Sequence, residues 1–327
     1  MTLAELVDRA LAARTKLLER LRAEGTDSFR VFHGAVEGRE GLAIDRYGPL
    51  VLAQTFRGPL ADPERAALEA HLDSRFPDAA EIAVVDRSAD RRDAVESTEH
   101  ACREADARFL VRARHKGLDP WLFLDLRAGR RRLCELAPGR SVLNLFAYTC
   151  AAGVAAAVAG AREVWNVDFS RSALAVGRRN AAANAVPEER VRFVEEDCLP
   201  VLRQLAGLTV RGRGSRRPYL RLEPRTFDLV FLDPPAWAKG PFGAVDVERD
   251  YPALFKPALL ATAPGGAVIA TNHAAAVDLA DWLAVLRRSA EKAGRSLESI
   301  ETIPPDPDFP TRDGRAPLKI AVCRARD

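Results

Sequence analysis

The chain has 327 residues, 47 % hydrophobic and 29 % charged, with a formal net charge of +3; this is an ordinary balance for a globular protein large enough for two domains. No run of 18 apolar residues is present, which excludes a membrane-spanning helix of that length, and residues 1–21 lack the apolar stretch of a secretory signal. The five cysteines (Cys102, Cys134, Cys150, Cys198 and Cys323) contain no Cys-x-x-Cys pair, which argues against a zinc centre or a disulfide framework and for a reducing cytosol.

Residues 3–24 read as one amphipathic helix, with Leu3, Leu6, Val7, Ala10, Leu17, Leu18 and Leu21 on one side and Gly25 as the stop. Strand-like segments follow at residues 29–32 and 50–56, separated by turns at Gly34, Gly38, Gly41 and Gly48. Residues 62–76 have a helical pattern with Pro63 in the first turn, and 81–86 and 107–111 read as short strands. We therefore expect an N-terminal helix (1–25), a small α+β domain (26–115) suited to RNA binding, and a larger domain (116–327).

In the larger domain the rhythm becomes strand–helix–strand–helix. Strands are expected at residues 141–146, 163–168, 191–194, 227–233 and 267–271, with closing strands at 300–303 and 318–323. Helices are expected at 151–160, 170–184 and 278–294. This alternation predicts an α/β fold with a Rossmann-like, doubly wound and mostly parallel sheet. A segment from Gly207 to Arg225, with six arginines and Tyr219, interrupts it on the surface.

In such a sheet the ligand lies beyond the carboxyl ends of the strands. The first strand ends in Asn144-Leu-Phe-Ala-Tyr-Thr149 and the second in Asp168, 24 residues after Asn144. The third is followed by Asp197-Cys198 and the fourth by Asp233-Pro-Pro-Ala-Trp237. An acid at the second strand end can accept from two ribose hydroxyls, and one at the third can meet an adenine amino group. A pyrophosphate cofactor calls for Gly-x-Gly-x-x-Gly after the first strand, and here only Gly153 is present. S-adenosylmethionine (SAM) has no pyrophosphate, so it fits better than a nicotinamide or flavin. Each residue also has a plainer reading: Asn144 or Asp168 as a helix cap, Asp197 as a turn, Asp-Pro-Pro as a rigid loop. Their joint order at successive strand ends favours the functional one.

These stretches, with Val167-Asp-Phe-Ser-Arg171, Asp197-Cys-Leu199 and Phe231-Leu-Asp-Pro-Pro235, resemble the bacterial large-subunit (23S) ribosomal RNA methyltransferases, which carry a central β-rich domain ahead of a class I SAM domain. Gly41-Leu-Ala-Ile-Asp-Arg-Tyr-Gly48 resembles the start of that central domain. Leu122-Phe-Leu-Asp-Leu-Arg127 resembles the family's Phe-Leu-Asp-Gln-Arg, with Leu126 in place of Gln. In place of the RNA-binding domain that precedes it in some members, this chain has the helix at 3–24. The resemblance implies that Asn144, Phe146, Ala147, Tyr148, Thr149, Asp168, Phe169, Ser170, Asp197 and Cys198 hold SAM. It implies Asp125 and Arg127 near the cofactor's amino-acid end, and Asp233, Pro234, Pro235 and Trp237 facing the target base. Where the family has glycine after Tyr-Thr, this chain has Cys150, whose Cβ would narrow the cofactor's approach.

The family methylates cytosine C5 or guanine N7. The first needs a thiolate nucleophile, and its members carry the cysteine after the fifth strand, where this chain reads Ala270-Thr-Asn-His-Ala274. Cys150 and Cys198 lie on the cofactor side and read as small buried hydrophobes. Guanine N7 has its own lone pair and needs alignment and electrostatics only. The guanine-N7 members resemble this chain at Asn272 and over Val245-Asp-Val-Glu-Arg-Asp250. The expectation is then that Asp233 orients the base, Trp237 stacks on it and Asn272 bonds its edge, with His273 either assisting or opening a helix. Exocyclic-amino methylation ranks below this, because Ala236 separates the proline pair from the aromatic.

The expected partner is ribosomal RNA of the large subunit, its base splayed out toward the cofactor, with no metal and no membrane. The arginines of 207–225 and the Arg130-Arg131-Arg132 run are candidate phosphate contacts or simply solvated surface. A non-catalytic RNA-binding protein with a degenerate SAM pocket and a small-molecule methyltransferase stand as rivals. The oligomeric state stays open, a homodimer being one option.

Overall fold

In the computed structural model, which describes residues 1–88, 96–115, 119–210 and 218–326, the chain divides by internal packing into two units. The first comprises Met1–Arg127 with Asp306–Arg315, the second Ala128–Pro305 with Ala316–Asp327.

The first unit opens with helices α1 (Leu3–Ala13) and α2 (Thr15–Ala23), not the single helix expected from the apolar spacing. A capping box starts α1: the Glu5 amide donates to Thr2 Oγ1, and the Thr2 amide donates to Glu5 Oε2. The break falls at Arg14, which leaves helical geometry (φ −96°, ψ 3°). Its buried guanidinium donates to Ala10 O at 2.8 Å and to both Glu37 carboxylate oxygens at 2.6 and 3.0 Å. Hydrophobic periodicity cannot register a one-residue break made by a tertiary ion pair.

The unit continues through β1 (Ser28–His33), α3 (Gly34–Glu37), β2 (Leu42–Tyr47), β3 (Leu50–Thr55), α4 (Asp62–Arg75) and β4 (Glu81–Asp86). The sheet runs β1-β2-β3-β4, antiparallel except for the β3–β4 pair, which α4 connects. Val7, Leu21, Phe32, Ile44, Leu68 and Leu72 fill one core beneath it. A separate antiparallel hairpin pairs β5 (Glu99–Glu104) with β6 (Ala107–Arg112).

Helix α5 (Arg127–Leu136) leads into β7 (Ser141–Leu145), α6 (Ala151–Val158), β8 (Glu163–Asp168), α7 (Arg171–Ala183), β9 (Val191–Glu195), α8 (Cys198–Leu205) and β10 (Phe227–Leu232). A hairpin, β11 (Trp237–Gly240) and β12 (Gly243–Asp246), and helix α9 (Tyr251–Leu260) come next; neither was anticipated. Strand β13 (Thr262–Asn272), helix α10 (Leu279–Lys292) and strands β14 (Leu297–Ile303) and β15 (Lys319–Ala325) complete the unit. The sheet order is β14-β15-β13-β10-β7-β8-β9. Strands β7, β8, β9, β10 and β13 are mutually parallel, and β15 runs antiparallel between β13 and β14. The strand order reverses between β7 and β10, the place where ligands bind in open α/β sheets. This is the expected Rossmann-like, mostly parallel fold. Leu143, Leu145, Val230 and Leu232 bury one face of the central strands against Phe255, Trp282 and their neighbours, each such side chain contributing about 1.5–3 kcal/mol.

The arginine run on α5 is not an open phosphate grip. Arg130 is buried, and Arg132 bonds to Glu135 at 2.7 Å and Glu301 at 2.9 Å. Of the arginine-rich segment, residues 211–217 lie outside the described residues. Within the rest, Arg225 pairs with Glu163 and Arg221 donates to Tyr219 Oη at 2.6 Å.

Candidate active site

Among the described residues of the second unit, the β7–α6 connection gathers most of the non-glycine residues with positive φ. Phe146, Tyr148 and Cys150 all have positive φ (56°, 49° and 62°) without being glycine, each at a cost on the order of 1 kcal/mol. Local bonds hold the turn. The Ala147 amide donates to Val167 O at 3.0 Å, the Tyr148 amide to Asp168 Oδ2 at 2.8 Å, and Asn180 Nδ2 to Thr149 O at 2.9 Å. Cys150 thus adopts the left-handed backbone conformation that favours glycine. Its Sγ fits only because residue 177 of α7 has no side chain: a Cβ on Gly177 would lie 2.4 Å from it. The thiol is directed into the helix packing, fully buried, and burial pushes its pKa well above the usual value. Gly153 likewise lets α6 approach Asn166, whose Oδ1 would sit 1.9 Å from an added Cβ.

Two carboxylates stand at neighbouring strand ends. Asp168, at the end of β8, accepts from the Tyr148 amide and, through Oδ1, from the Ser170 amide at 2.8 Å. Asp197 follows β9 and caps α8, accepting from the Leu199 amide at 2.9 Å and, through Oδ2, from the Phe242 amide of the β11–β12 turn at 3.1 Å. Gly240 is equally close, since a Cβ there would meet Asp197 Oδ2 at 2.6 Å. Burial raises the pKa of both acids, and the backbone amides only partly offset it. Ser170 caps α7, and Phe169 beside it is half-exposed. Cys198 is buried, its Sγ 3.1 Å from the Phe146 amide and its thiol pKa pushed well up by burial. Asn144 is buried too and donates from Nδ2 to Asn166 Oδ1 at 2.8 Å, one strand away.

The fourth strand end carries Asp233-Pro234-Pro235, and Trp237 on β11 is 64 % exposed. Asp233 Oδ1 accepts from Thr271 Oγ1 at 2.5 Å and from His273 Nε2 at 2.8 Å, both from the end of β13. No helix starts at His273; α10 begins at Leu279. Asn272, between them, is fully buried. Its Oδ1 accepts from the Ala274 amide at 2.8 Å and so shapes the turn, while its Nδ2 is buried without a hydrogen-bond partner among the described residues. Thr271 and His273 were the residues to find, because strand alternation sends both to the face opposite Asn272.

Arg127 and Asp125 fall in the first unit. Arg127 was expected near the cofactor, but its buried guanidinium donates to Asp306 Oδ2 at 2.8 Å, Asp308 Oδ1 at 2.6 Å and Ser28 O at 3.0 Å. It serves as an internal clamp of that unit. Asp125 lies in the 3-10 turn Leu124–Leu126.

Two desolvated carboxylates and an amide-bearing turn on adjacent strand tips fit an adenosine, whose amino group and hydroxyls are donors. Among the described residues no cluster of His, Cys, Asp or Glu could hold a metal ion.

Known proteins resemble the chain in sequence and in fold. The family model described as S-adenosylmethionine-dependent methyltransferase matches residues 97–324. A Chromohalobacter salexigens protein named ribosomal RNA large subunit methyltransferase K/L is 33 % identical over 80 % of this chain and 35 % of its own length. The chain thus spans about a third of that relative. A Deinococcus radiodurans protein named ribosomal RNA large subunit methyltransferase is 30 % identical over 91 % of this chain and 72 % of its own. In fold, the chain is similar to a Streptococcus mutans protein assigned as a SAM-dependent methyltransferase. The TM-score is 0.77 at 22 % identity, covering 99 % of this chain and 82 % of that one. A crystal structure of SMU.776 complexed with SAH gives a TM-score of 0.79 at 22 % identity over the same shares. On the extent of the family match and of the Deinococcus alignment, the chain belongs to the S-adenosylmethionine-dependent methyltransferases.

Proposed function

We propose that the enzyme methylates a base of 23S ribosomal RNA in the cytoplasm, at guanine N7, by direct in-line transfer. The ribosomal substrate is supported by the names of the relatives. The preference for a nitrogen over cytosine C5 is carried by one observation: no thiol is available at the fourth or fifth strand end. Cys150, Cys198 and Cys323 are buried, and burial holds their thiols protonated, Cys323 with a pKa pushed up to about 12. Covalent activation of a pyrimidine has no nucleophile on this reading.

Bound SAM supplies a methyl group on a positively charged sulfur. Asp168 accepts from the ribose hydroxyls and Asp197 from the adenine amino group, and the turn from Phe146 to Thr149 lies along the cofactor. Pro234 and Pro235 stiffen the loop after β10, and Trp237 stacks on the extruded base. The N7 lone pair forms the new N–C bond as the C–S bond breaks. No proton leaves, and the purine acquires positive charge. The Asp233 carboxylate stabilises that charge where it develops. Nucleoside mass spectrometry of rRNA from a strain lacking the gene tests the proposal. Loss of 7-methylguanosine, restored by the gene, is expected; loss of 5-methylcytidine overturns the choice of atom.

A further inference from the structure

The geometry points to Thr271 and His273 as positioning residues that clamp one oxygen of Asp233 so that the other faces the target base. The inference rests on Asp233 being the base-facing acid.

Three observations carry it. Both donors converge on the same atom, Oδ1, at 2.5 and 2.8 Å. A carboxylate can only accept, so Nε2 is the protonated ring nitrogen of His273. Oδ2 has no protein donor within hydrogen-bond distance among the described residues, while the side chain retains 17 % exposure. The occupied oxygen fixes the rotamer and the open one keeps its acceptor capacity.

The clamp is itself braced. Tyr251 Oη donates to Thr271 O at 2.7 Å. Lys319 Nζ donates to Ala274 O at 2.8 Å, pinning the far side of the turn. Asn272 Oδ1 closes the turn from within. The two donors therefore sit on a strand end held from three sides, as a side chain that must be positioned to a fraction of an ångström requires.

Four variants, His273→Ala, His273→Gln, Thr271→Val and Asp233→Asn, would be compared in steady-state methylation of rRNA, with SAH affinity measured by calorimetry. His273→Ala is expected to lower kcat roughly tenfold, the worth of one hydrogen bond to a charged group, with KM for RNA and Kd for SAH within twofold of the parent. His273→Gln returns a donor near the Nε2 position and should recover kcat to within about threefold. Thr271→Val, nearly isosteric, should lower kcat without moving Kd. Unchanged kcat in both His273→Ala and Thr271→Val, failure of glutamine to rescue, or a loss confined to KM overturns the clamp. If Asp233→Asn keeps full kcat, the base-facing reading of Asp233 has failed instead. If Asp233→Asn is impaired while His273→Ala and Thr271→Val are not, only the clamp has failed.

Discussion

Replacing Arg127 with Leu separates a structural role from a cofactor role. The guanidinium makes three bonds inside the first unit, two of them to the buried acids Asp306 and Asp308. Breaking a buried ion pair by removing one partner costs about 3–5 kcal/mol, because a charge is left without its counterion. Here each acid keeps a second donor: Arg20 on Asp306 at 2.7 Å and the Arg30 amide on Asp308 at 2.9 Å. The lower end, about 3 kcal/mol, is therefore expected, or roughly 10 °C in the melting temperature of a unit this size. Arg127→Lys should fall between, at about 1–2 kcal/mol, since one ammonium cannot reproduce the fork that reaches both carboxylates. Thermal and urea unfolding read the stability, and SAH titration of the folded variant reads the cofactor site. A variant that melts like the parent but no longer binds SAH would refute the clamp and restore the role that family resemblance suggested.

Further outcomes follow from the second unit. Burial raises the pKa of Asp168 and Asp197 above the usual 3.8, and protonation removes the acceptors the adenosine needs. SAH affinity should therefore weaken as pH falls toward 4, starting above the ordinary carboxylate range, and Asp197→Asn should bind more weakly with a flatter pH profile, as calorimetry across pH 4–8 would show. Gly177→Ala forces a methyl onto Cys150 Sγ and should cost about 1–3 kcal/mol of stability, with Cys150→Gly recovering much of it in the double variant; equal losses with and without Cys150 would contradict that contact. Cys102, Cys150, Cys198 and Cys323 are buried, so a thiol reagent should modify them in the native protein only as fast as the protein unfolds, measured by mass spectrometry over time.

Alternation of strand and helix was enough to predict the sheet of the second unit, because its central strands are apolar and buried on both faces. Asp168, Asp197 and Asp233 were legible because an acid at a strand end is a local pattern. The partners that tune those acids were not. Phe242 reaches Asp197 across 45 residues and His273 reaches Asp233 across 40, and a short hairpin such as β11–β12 leaves little trace in composition. Arg127 shows the opposite failure, a familiar motif residue whose donors are used 179 and 181 residues away. Arg14 breaks a helix for the same kind of reason: its guanidinium pairs with Glu37, 23 residues away.

The return of Asp306–Arg315 to the first unit also sets a timetable for synthesis. Asp306 and Asp308 emerge about 180 residues after Arg127, which at about 5–20 residues per second is a wait on the order of 10–40 s. Through that interval the buried Arg127 guanidinium lacks both of its counterions, so the packing around it is completed only after the second unit's central strands have been made. Nascent-chain proteolysis should find the region around Arg127 more susceptible before Asp306 and Asp308 have emerged than after.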